Sequence, residues 1–130
     1  MSEPSTATAT PESPEQRFLA ELATGTAKVQ QCADCEQKFF QPRTHCPHCH
    51  SARYNWVPLT MNGVLHSYTN RPAQKDRAAY NVVLVDMADG FRMMSTCPGM
   101  ELDMNAIGQP LTARIDLGCT PARLVFGAAA

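Results

Sequence analysis

The sequence has no excess of charge of either sign and no long apolar run. Its 130 residues carry 11 Lys and Arg against 12 Asp and Glu, which gives a formal net charge of −1. Proteins that hold nucleic acid by neutralising phosphates need a cationic surplus, and this chain lacks one. No apolar segment approaches the roughly 20 residues of a membrane-spanning helix. The composition therefore disfavours nucleic-acid binding as the main role and predicts no helical membrane span.

The beginning of the chain lacks the features of a targeting signal. Met1–Pro14 has neither the basic start nor the apolar stretch of a secretory signal peptide. Residues 1–13 are rich in Ser, Thr, Ala and Pro, a composition too polar to pack. We therefore expect residues 1–13 to form a disordered tail.

Four cysteines have the spacing of a metal site. Cys32 and Cys35 form one Cys-x2-Cys turn, and Cys46 and Cys49 form a second one after a ten-residue gap. Two such turns can place four thiolates around Zn²⁺ at Zn–S distances of about 2.3 Å. Because protein then fills every coordination position, the ion would be structural and would stabilise a segment too short to bury its own core. The spacing predicts a zinc ribbon over residues 28–55.

Other interpretations of these sulfurs stay open at this point. The cysteines could form disulfides, or they could hold iron, which accepts the same four thiolates. His45, His48 and His50 surround the second turn and could replace a sulfur, although four correctly spaced thiolates favour the all-cysteine set. Cys97 and Cys119 lie outside the set, and we expect both to be buried free thiols. Reduced cysteines beside a metal site are typical of a cytoplasmic protein, which is the expected location.

A short helix precedes the ribbon. Ser13-Pro14-Glu15-Gln16 has the residues of a helix start, with Ser as N-cap, Pro at the first helical position and Gln three residues after the cap. Phe18, Leu19 and Leu22 share one face, and the helix should end near Gly25, within a segment assigned to residues 14–27. A helix of about three turns needs a packing surface, and the sequence leaves open whether this domain or another chain provides it.

The remainder of the chain alternates between short strands and turns. The predicted strands are Gly63–Thr69, Tyr80–Met87, Phe91–Cys97, Leu111–Asp116 and Ala122–Phe126. Short strands at regular spacing without a second helix predict a small barrel over residues 56–127. The polar stretch Arg71–Ala79 reads as a mobile loop between two of these strands.

The order of these motifs resembles a known family. From Glu15 to Phe126 the chain is similar to the rubredoxin-type zinc-ribbon and OB-fold proteins once catalogued as domain of unknown function 35 (DUF35). The matching segments are Arg17-Phe18-Leu19, Cys32-Ala33-Asp34-Cys35, Phe40-Gln41-Pro42-Arg43, Cys46-Pro47-His48-Cys49, Gly63–Thr69, Tyr80–Asp86 and Ile107–Leu111. Gln41 stands where the family usually has the first of two prolines, and His50 stands where the second turn commonly has Gly. The resemblance implies a small β-rich fold with an N-terminal amphipathic helix, a rubredoxin-like four-cysteine zinc ribbon and a C-terminal five-stranded OB-fold barrel.

The resemblance also implies a function carried out with a second chain. It implies a non-catalytic accessory subunit in a hetero-oligomer with a thiolase-fold acyl-CoA enzyme, either a thiolase or an aldolase, whose own chain carries the catalytic residues. An enoyl-CoA hydratase-like complex is the alternative. The helix and the ribbon loop are then expected to dock on the partner. The candidate partner-binding residues are Phe18, Leu19, Leu22, Phe39 and Phe40.

Cationic residues in two loops are candidate ligand contacts. Arg43 follows the aromatic pair of the ribbon loop, and Arg71, Lys75 and Arg77 lie in the loop between two barrel strands. Such side chains form charge-assisted hydrogen bonds with phosphates, so they are candidates for binding acyl-CoA shared with the partner. A solvated surface is the simpler interpretation of the same residues.

A stand-alone OB-type nucleic-acid binder is the alternative from another functional class. OB barrels bind single strands through stacked aromatic side chains and basic grooves, and Tyr68, Tyr80 and Phe91 are the rings available for this here. Few basic residues accompany them, and hairpin packing is expected to occupy Tyr80 and Phe91. A catalytic arrangement is not suggested either, because His66 stands alone in a predicted strand.

Overall fold

The computed structural model describes residues 13–118 and 120–129. The predicted disordered tail lies outside these residues, apart from Ser13, and so does Cys119.

The chain begins with helix α1 (Pro14–Ala23), whose predicted start is confirmed. The Ser13 hydroxyl accepts a hydrogen bond from the Gln16 amide at 3.2 Å, and the Gln16 side chain accepts one from the Ser13 amide at 3.0 Å. These two bonds satisfy amides that have no partner inside the helix. The helix is shorter than the segment 14–27, because Gly25 turns the chain away with a φ of +90°.

Three short strands form the ribbon sheet. They are β1 (Lys28–Cys32), β2 (Lys38–Phe39) and β3 (Tyr54–Pro58). The strands are antiparallel in the order β2-β1-β3, with β1 in the centre. This sheet brings the start of the first cysteine turn, at the end of β1, beside the chain that leaves the second turn.

Five longer strands form the second sheet. They are β4 (Asn62–Arg71), β5 (Tyr80–Met87), β6 (Arg92–Ser95), β7 (Pro110–Asp116) and β8 (Arg123–Ala128). They are antiparallel in the order β6-β5-β4-β7-β8. The two edge strands meet where the Phe126 amide donates to the Thr96 carbonyl at 2.9 Å, so the sheet curls into a small barrel. The predicted fold class, a small β-rich chain with an N-terminal helix, a four-cysteine ribbon and a five-stranded OB-fold barrel, is confirmed.

The apolar core of the barrel also contains the inner face of the helix. Phe18 and Leu22 of α1 are buried against the barrel, with 7% and 0% of their surface exposed. Their neighbours in this core include Leu65, Val83, Val85, Leu111 and Phe126. The helix therefore finds its packing surface within this chain, which answers the question that the sequence left open.

The ribbon and the barrel are joined by aromatic and polar contacts. The Phe40 ring lies between those of Phe18 and Phe91, at centroid distances of 5.1 and 5.9 Å. Beside them, the Asp89 carboxylate accepts from the Lys38 ammonium at 3.3 Å and from the Thr60 hydroxyl at 2.6 Å. The Asp89 side chain has no exposed surface, although Lys38 and Thr60 both remain in contact with solvent. These contacts fix the orientation of the ribbon on the barrel.

Candidate metal centre and neighbouring surfaces

The four cysteine sulfurs form one cluster. All four lie within 4.8 Å of one another, with 3.4 Å between the sulfurs of Cys32 and Cys49 and 3.7 Å between those of Cys35 and Cys46. A regular ZnS₄ tetrahedron with Zn–S distances of 2.3 Å has neighbouring sulfurs about 3.8 Å apart. The cysteines are free thiols in this arrangement, so the disulfide interpretation is wrong. The sulfurs are positioned to bind a metal ion.

The two cysteine turns have the same backbone geometry. In the first, the Glu36 amide donates to the Cys32 carbonyl at 3.1 Å, and in the second the His50 amide donates to the Cys46 carbonyl at 2.9 Å. Glu36 and His50, each following the second cysteine of its turn, both have a φ of +66°. Glycine adopts this conformation without the steric cost that other residues meet. The left-handed conformation thus occurs in both turns, and at His50 it lies where the family commonly has Gly.

Backbone amides point at the sulfurs that begin the turns. The amides of Asp34 and Cys35 lie 3.3 and 3.4 Å from the Cys32 sulfur, and the His48 amide lies 3.3 Å from the Cys46 sulfur. The Cys35 amide, followed by that of Asp34, lowers the pKa of the Cys32 thiol to about 6, although burial opposes the shift. The turn backbone thus favours the thiolate form that a metal ligand requires.

The Cys49 thiol shows the opposite shift of its pKa. The Ser51 amide lowers the pKa of the Cys49 thiol, but the neighbouring Cys32 sulfur and burial outweigh it and raise this pKa to about 12. Thiolates this close repel one another, so all four ionise together only around a positive ion. The donor set and its geometry therefore fit a divalent metal.

A polar cluster ties the two turns together, and sequence reasoning missed it. The Asp34 carboxylate in the first turn accepts hydrogen bonds from the Ser51 hydroxyl and the Arg53 guanidinium, both beyond the second turn. These bonds, first from Ser51 and then from Arg53, lower the pKa of the Asp34 carboxyl below its usual value. The carboxylate thus stays ionised and keeps the turns in register. Asp34 and Arg53 are far apart in sequence, and only the β1–β3 pairing brings them together.

Gln30 is a second residue that the sequence did not single out. It is buried in the centre of the ribbon sheet, with 1% of its surface exposed. Its side-chain amide donates to the Arg43 carbonyl at 2.5 Å and accepts from the Arg43 amide at 2.8 Å. The loop that precedes the second cysteine turn is therefore fixed by a side chain from β1. Gln30 is followed directly by Gln31, and the sequence does not distinguish the buried amide, which requires partners, from the partly exposed one.

The three histidines of the second turn lie at the surface. His45, His48 and His50 are exposed, and the metal-binding group found among the described residues consists of the four cysteines. Arg43 is also exposed and borders a shallow pocket with His45 and His50. The structure thus separates Arg43 from the other predicted ligand residues, which lie in the loop after β4.

The predicted partner-binding residues are divided between the interior and the surface. Phe18, Leu22 and Phe39 are buried within this chain, and Leu19 and Phe40 are partly buried against its core. The buried side chains are occupied by internal contacts, so they do not form a free surface. Docking of this region on another chain stays a prediction and concerns the outer side of the helix and the ribbon loop.

Several large apolar side chains are instead exposed on the barrel. Met94 on β6 and Met104 in the turn before β7 are 70% and 75% exposed, and Leu117 is 59% exposed. By contrast, Met87 and Met93 are buried in the core. Methionine adapts its shape to an irregular partner, so each of these exposed methionines is available for such a contact.

The predicted cationic loop lies at one end of the barrel. Arg71, Lys75 and Arg77 are exposed, and the Arg77 guanidinium lies over the Tyr80 ring at 4.7 Å. Of the three rings considered for stacking, only Tyr80 is exposed. Phe91 stacks on Phe40, and Tyr68 packs against the core. Cys97 is buried below this end of the barrel, as predicted, and burial raises its thiol pKa.

No helix among the described residues is both long and apolar enough to cross a membrane.

Two family models match consecutive parts of the chain. A family model described as "ChsH2, rubredoxin-like zinc ribbon domain" matches residues 23–55, and one described as "ChsH2, C-terminal OB-fold domain" matches residues 56–116. A "Probable enoyl-CoA hydratase alpha subunit" of Thermomonospora curvata is 30% identical over 86 residues, which are 64% of this chain and 27% of that protein. A "DUF35 domain-containing scaffold protein" of Methanothermobacter thermautotrophicus is 32% identical over 82 residues, 59% of this chain and 62% of that protein. The chain thus matches less than two thirds of either relative.

Two solved structures share the fold. A chain of the structure described as "Ltp2-ChsH2(DUF35) aldolase" superimposes with a TM-score of 0.76 at 24% identity and covers 94% of this chain and 98% of that one. A protein of unknown function from the DUF35 family of Sulfolobus solfataricus gives a TM-score of 0.61 at 18% identity, over 85% and 83% of the two chains. Because the ribbon and OB-fold models of one family match in succession over residues 23–116, the chain belongs to the ChsH2-type DUF35 family of zinc-ribbon and OB-fold proteins.

Proposed function

We propose that this protein is a non-catalytic accessory subunit of a thiolase-fold acyl-CoA enzyme, either a thiolase or an aldolase. The observation that carries the proposal is the four-sulfur cluster, which fills a tetrahedron with protein ligands. A catalytic zinc keeps one position open for water or substrate, whereas a site of four cysteines is closed. The best-defined chemical centre of the chain thus serves its structure, and the chemistry of the complex belongs to the partner.

The metal in this proposal is Zn²⁺. Both zinc and iron accept four thiolates, so the donor set alone does not choose between them. The ribbon model that the sequence matches is a zinc ribbon, which favours zinc. Cys32, Cys35, Cys46 and Cys49 would hold the ion, and it would supply the positive charge that keeps all four as thiolates.

The names of relatives support a partner enzyme. The solved structure with the same fold is described as an aldolase that contains Ltp2 and ChsH2, and one curated relative is described as a scaffold protein. Exposed Met94 and Met104 offer an adaptable apolar surface to such a partner. Leu19 of the helix and Phe40 of the ribbon loop are further candidates for contact with the partner. Phe18, Leu22 and Phe39 are buried and hold the helix and the loop in place from inside.

The proposal is tested by capturing the partner. The tagged, zinc-loaded full chain is purified gently from its native organism, and stoichiometric companions are identified by mass spectrometry. We expect a thiolase-fold chain, and we expect Met94→Glu to reduce its recovery, because a charge replaces an apolar contact. Ala128→Glu, which adds the same charge at another exposed position of the barrel, is the matched control. Recovery of the chain without an acyl-CoA enzyme contradicts the proposal.

An enoyl-CoA hydratase-like complex is the second candidate. The match to a probable enoyl-CoA hydratase alpha subunit favours it, although that match spans only 27% of the relative. The same capture distinguishes the two candidates, because a hydratase-fold companion in place of a thiolase-fold companion decides for the second.

A further inference from the structure

The two cysteine turns share one backbone geometry but carry side chains of different charge. Asp34 and Glu36 occupy the second and fourth positions after the first cysteine of one turn. His48 and His50 occupy the same positions of the other turn. Because both turns close with the same hydrogen bond and end in the same left-handed conformation, they differ in the surface that they present and not in their fold. We propose that the second turn is a docking site for carboxylates on the surface of a partner protein.

The histidines of the second turn are free for contact with another molecule. The metal-binding group found among the described residues consists of the four cysteines, and His48 and His50 are exposed. Neither imidazole has a hydrogen-bond or ion-pair partner within the part of the chain that the structure describes. In the first turn, by contrast, the Asp34 carboxylate is held by Ser51 and Arg53. The acidic turn is thus used inside the ribbon, whereas the histidine turn faces outward.

A shallow pocket beside the second turn groups several hydrogen-bond donors. It has a volume of about 470 Å³. Its lining contains no acidic residue and consists of Arg43, Thr44, His45, Cys46, Pro47 and His50. The Arg43 guanidinium has no carboxylate within ion-pair distance among residues 13–118 and 120–129. An imidazole retains an N–H donor in either protonation state, so the pocket offers donors to an anion without an internal anion to displace.

The backbone of the pocket is held in place from inside the ribbon. The buried Gln30 side chain bonds both the amide and the carbonyl of Arg43, at 2.8 and 2.5 Å. The Thr44 hydroxyl lies 3.0 Å from Nδ1 of His45. When the hydroxyl donates this bond, the proton of the neutral ring is on Nε2, which remains for a partner. A surface that is already ordered loses little entropy when it is bound.

The surrounding charges favour a single carboxylate over a phosphate chain or a nucleic-acid strand. Arg43 is the one arginine or lysine of the lining, and Lys38 and Arg53 elsewhere in the ribbon are already paired with carboxylates. Glu36 of the first turn is exposed, and four thiolates around a divalent ion add negative charge nearby. A strand needs several cations that neutralise successive phosphates. One guanidinium, by contrast, suits one carboxylate, which it binds in a planar fork.

The exposure of the site favours a carboxylate that is carried by a protein. An exposed ion pair strengthens binding by about fivefold at most, which is too little to hold a small free anion. A protein surface that presents the carboxylate adds this contact to others without a further loss of translational freedom. Where the proposed accessory function holds, on which this step rests, the acidic surface belongs to the partner enzyme.

NMR titration of the zinc-loaded full chain with a blocked hexaglutamate peptide tests the site. We expect the amide signals of residues 43–50 to shift, and Arg43→Gln to weaken binding about threefold, the scale of one exposed charged contact. His50→Glu should weaken it further, because it places an acid beside the pocket. Glutamate already adopts the same left-handed conformation at Glu36, so this variant should keep the turn. Arg114→Gln, which removes an exposed arginine of β7, should change nothing.

The outcomes separate this proposal from its competitors. Absence of shifts at residues 43–50 with millimolar peptide overturns it, and so does equal weakening by Arg114→Gln. Tighter binding of pyrophosphate at this turn assigns the site to phosphates instead, and tighter, strongly salt-dependent binding of a thymidine 12-mer assigns it to nucleic acid.

The partner step is tested separately by capture with His50→Glu. We expect this variant to recover less of the partner enzyme than the unchanged chain does. Equal recovery would overturn the assignment of the site to that enzyme but would leave the accessory function in place. Failure of the peptide titration likewise leaves the accessory function to the capture experiment, because the chain is titrated without a partner.

Discussion

The ribbon and the barrel are stabilised in different ways. The ribbon has a small buried cluster of its own, which consists of Phe39 and two of the four clustered cysteines, Cys32 and Cys46, and its strand β1 adds Val29 to the core of the barrel. The barrel buries a continuous apolar core from all five of its strands and from helix α1. Burial of apolar surface stabilises at about 25 cal/mol per Å², so a small cluster contributes far less than a full core. We therefore expect the ribbon to depend on its metal, whereas the barrel depends on packing.

Removing the metal is expected to have the largest effect. Structural zinc contributes on the order of 10 kcal/mol to the folding of small zinc domains, so Cys46→Ser or chelation should unfold the ribbon. NMR signals of residues 28–58 should collapse, while those of β4–β8 persist. Partner binding should be lost with the ribbon.

Cys97→Ser is the control for this change. Cys97 is buried like Cys46 but lies outside the sulfur cluster, so its replacement should leave the metal content at one ion per chain. A Cys46→Ser protein with an intact ribbon spectrum would show that the metal is dispensable.

A cavity in the barrel core should lower the stability of the chain without releasing the metal. Phe126 has no exposed surface, and replacing a buried Phe with Ala costs about 3–5 kcal/mol. Phe126→Ala should therefore lower the midpoint of chemical denaturation strongly, and metal retention at low denaturant should not change. Simultaneous loss of the metal in this variant would mean that the two regions do not differ as described.

Removing the Asp89 contacts between the ribbon and the barrel should have an intermediate effect. Asp89→Ala removes the acceptor for Lys38 and Thr60 and leaves the Thr60 amide without its carboxylate partner. Loss of hydrogen bonds to a charged group costs about 1–3 kcal/mol. Denaturation curves should show this decrease, and residual dipolar couplings should show freer orientation of the ribbon. Asp76→Ala, at an exposed position in the β4–β5 loop, should change neither.

The smallest expected effect concerns an ion pair on the outside of the barrel. The Arg92 guanidinium, 2.7 Å from Asp86, holds the pKa of that carboxyl below its usual value of 3.8. A lowered carboxyl pKa stabilises the fold above the unfolded pKa, and this stabilisation disappears as the pH falls through the folded pKa. Because both side chains are about half exposed, the loss should stay below about 1 kcal/mol.

Acid should nevertheless affect the ribbon sooner than the barrel. Protonation of the thiolate ligands releases zinc, so metal loss should precede the decrease in barrel stability as the pH is lowered.

The contribution of the Asp86–Arg92 ion pair is measured by comparing stability as a function of pH. The curves of Asp86→Asn and of the unchanged chain should converge below pH 4. Divergence toward acid pH would contradict the assigned sign.

The sequence predicted the parts of the molecule that depend on local spacing. The four cysteines, the capping box at Ser13 and the alternating strands each follow from residues a few positions apart. The five-stranded barrel followed from strand spacing together with the family resemblance. These features were predictable because the turn and ladder geometries that produce them are local.

The features that the sequence did not reveal depend on contacts across the chain. Phe18 and Leu22 predicted an apolar face on the helix, but the sequence did not show which surface covers that face. Three hydrogen-bonded pairs exist only because the sheets bring distant residues together. They are Asp34 with Arg53, Gln30 with Arg43, and Asp89 with Lys38. Polar side chains in turns gave no pattern from which such partners could be read.

Native mass spectrometry of the complex captured by the tagged full chain tests the central claim most directly, because it weighs metal and partner together. We predict a complex in which each copy of this chain carries one zinc ion and a thiolase-fold chain is present in fixed ratio. A metal-bound chain that is always found alone, or one whose assembly is unchanged after the metal has been removed, would contradict the account of a metal-stabilised accessory subunit.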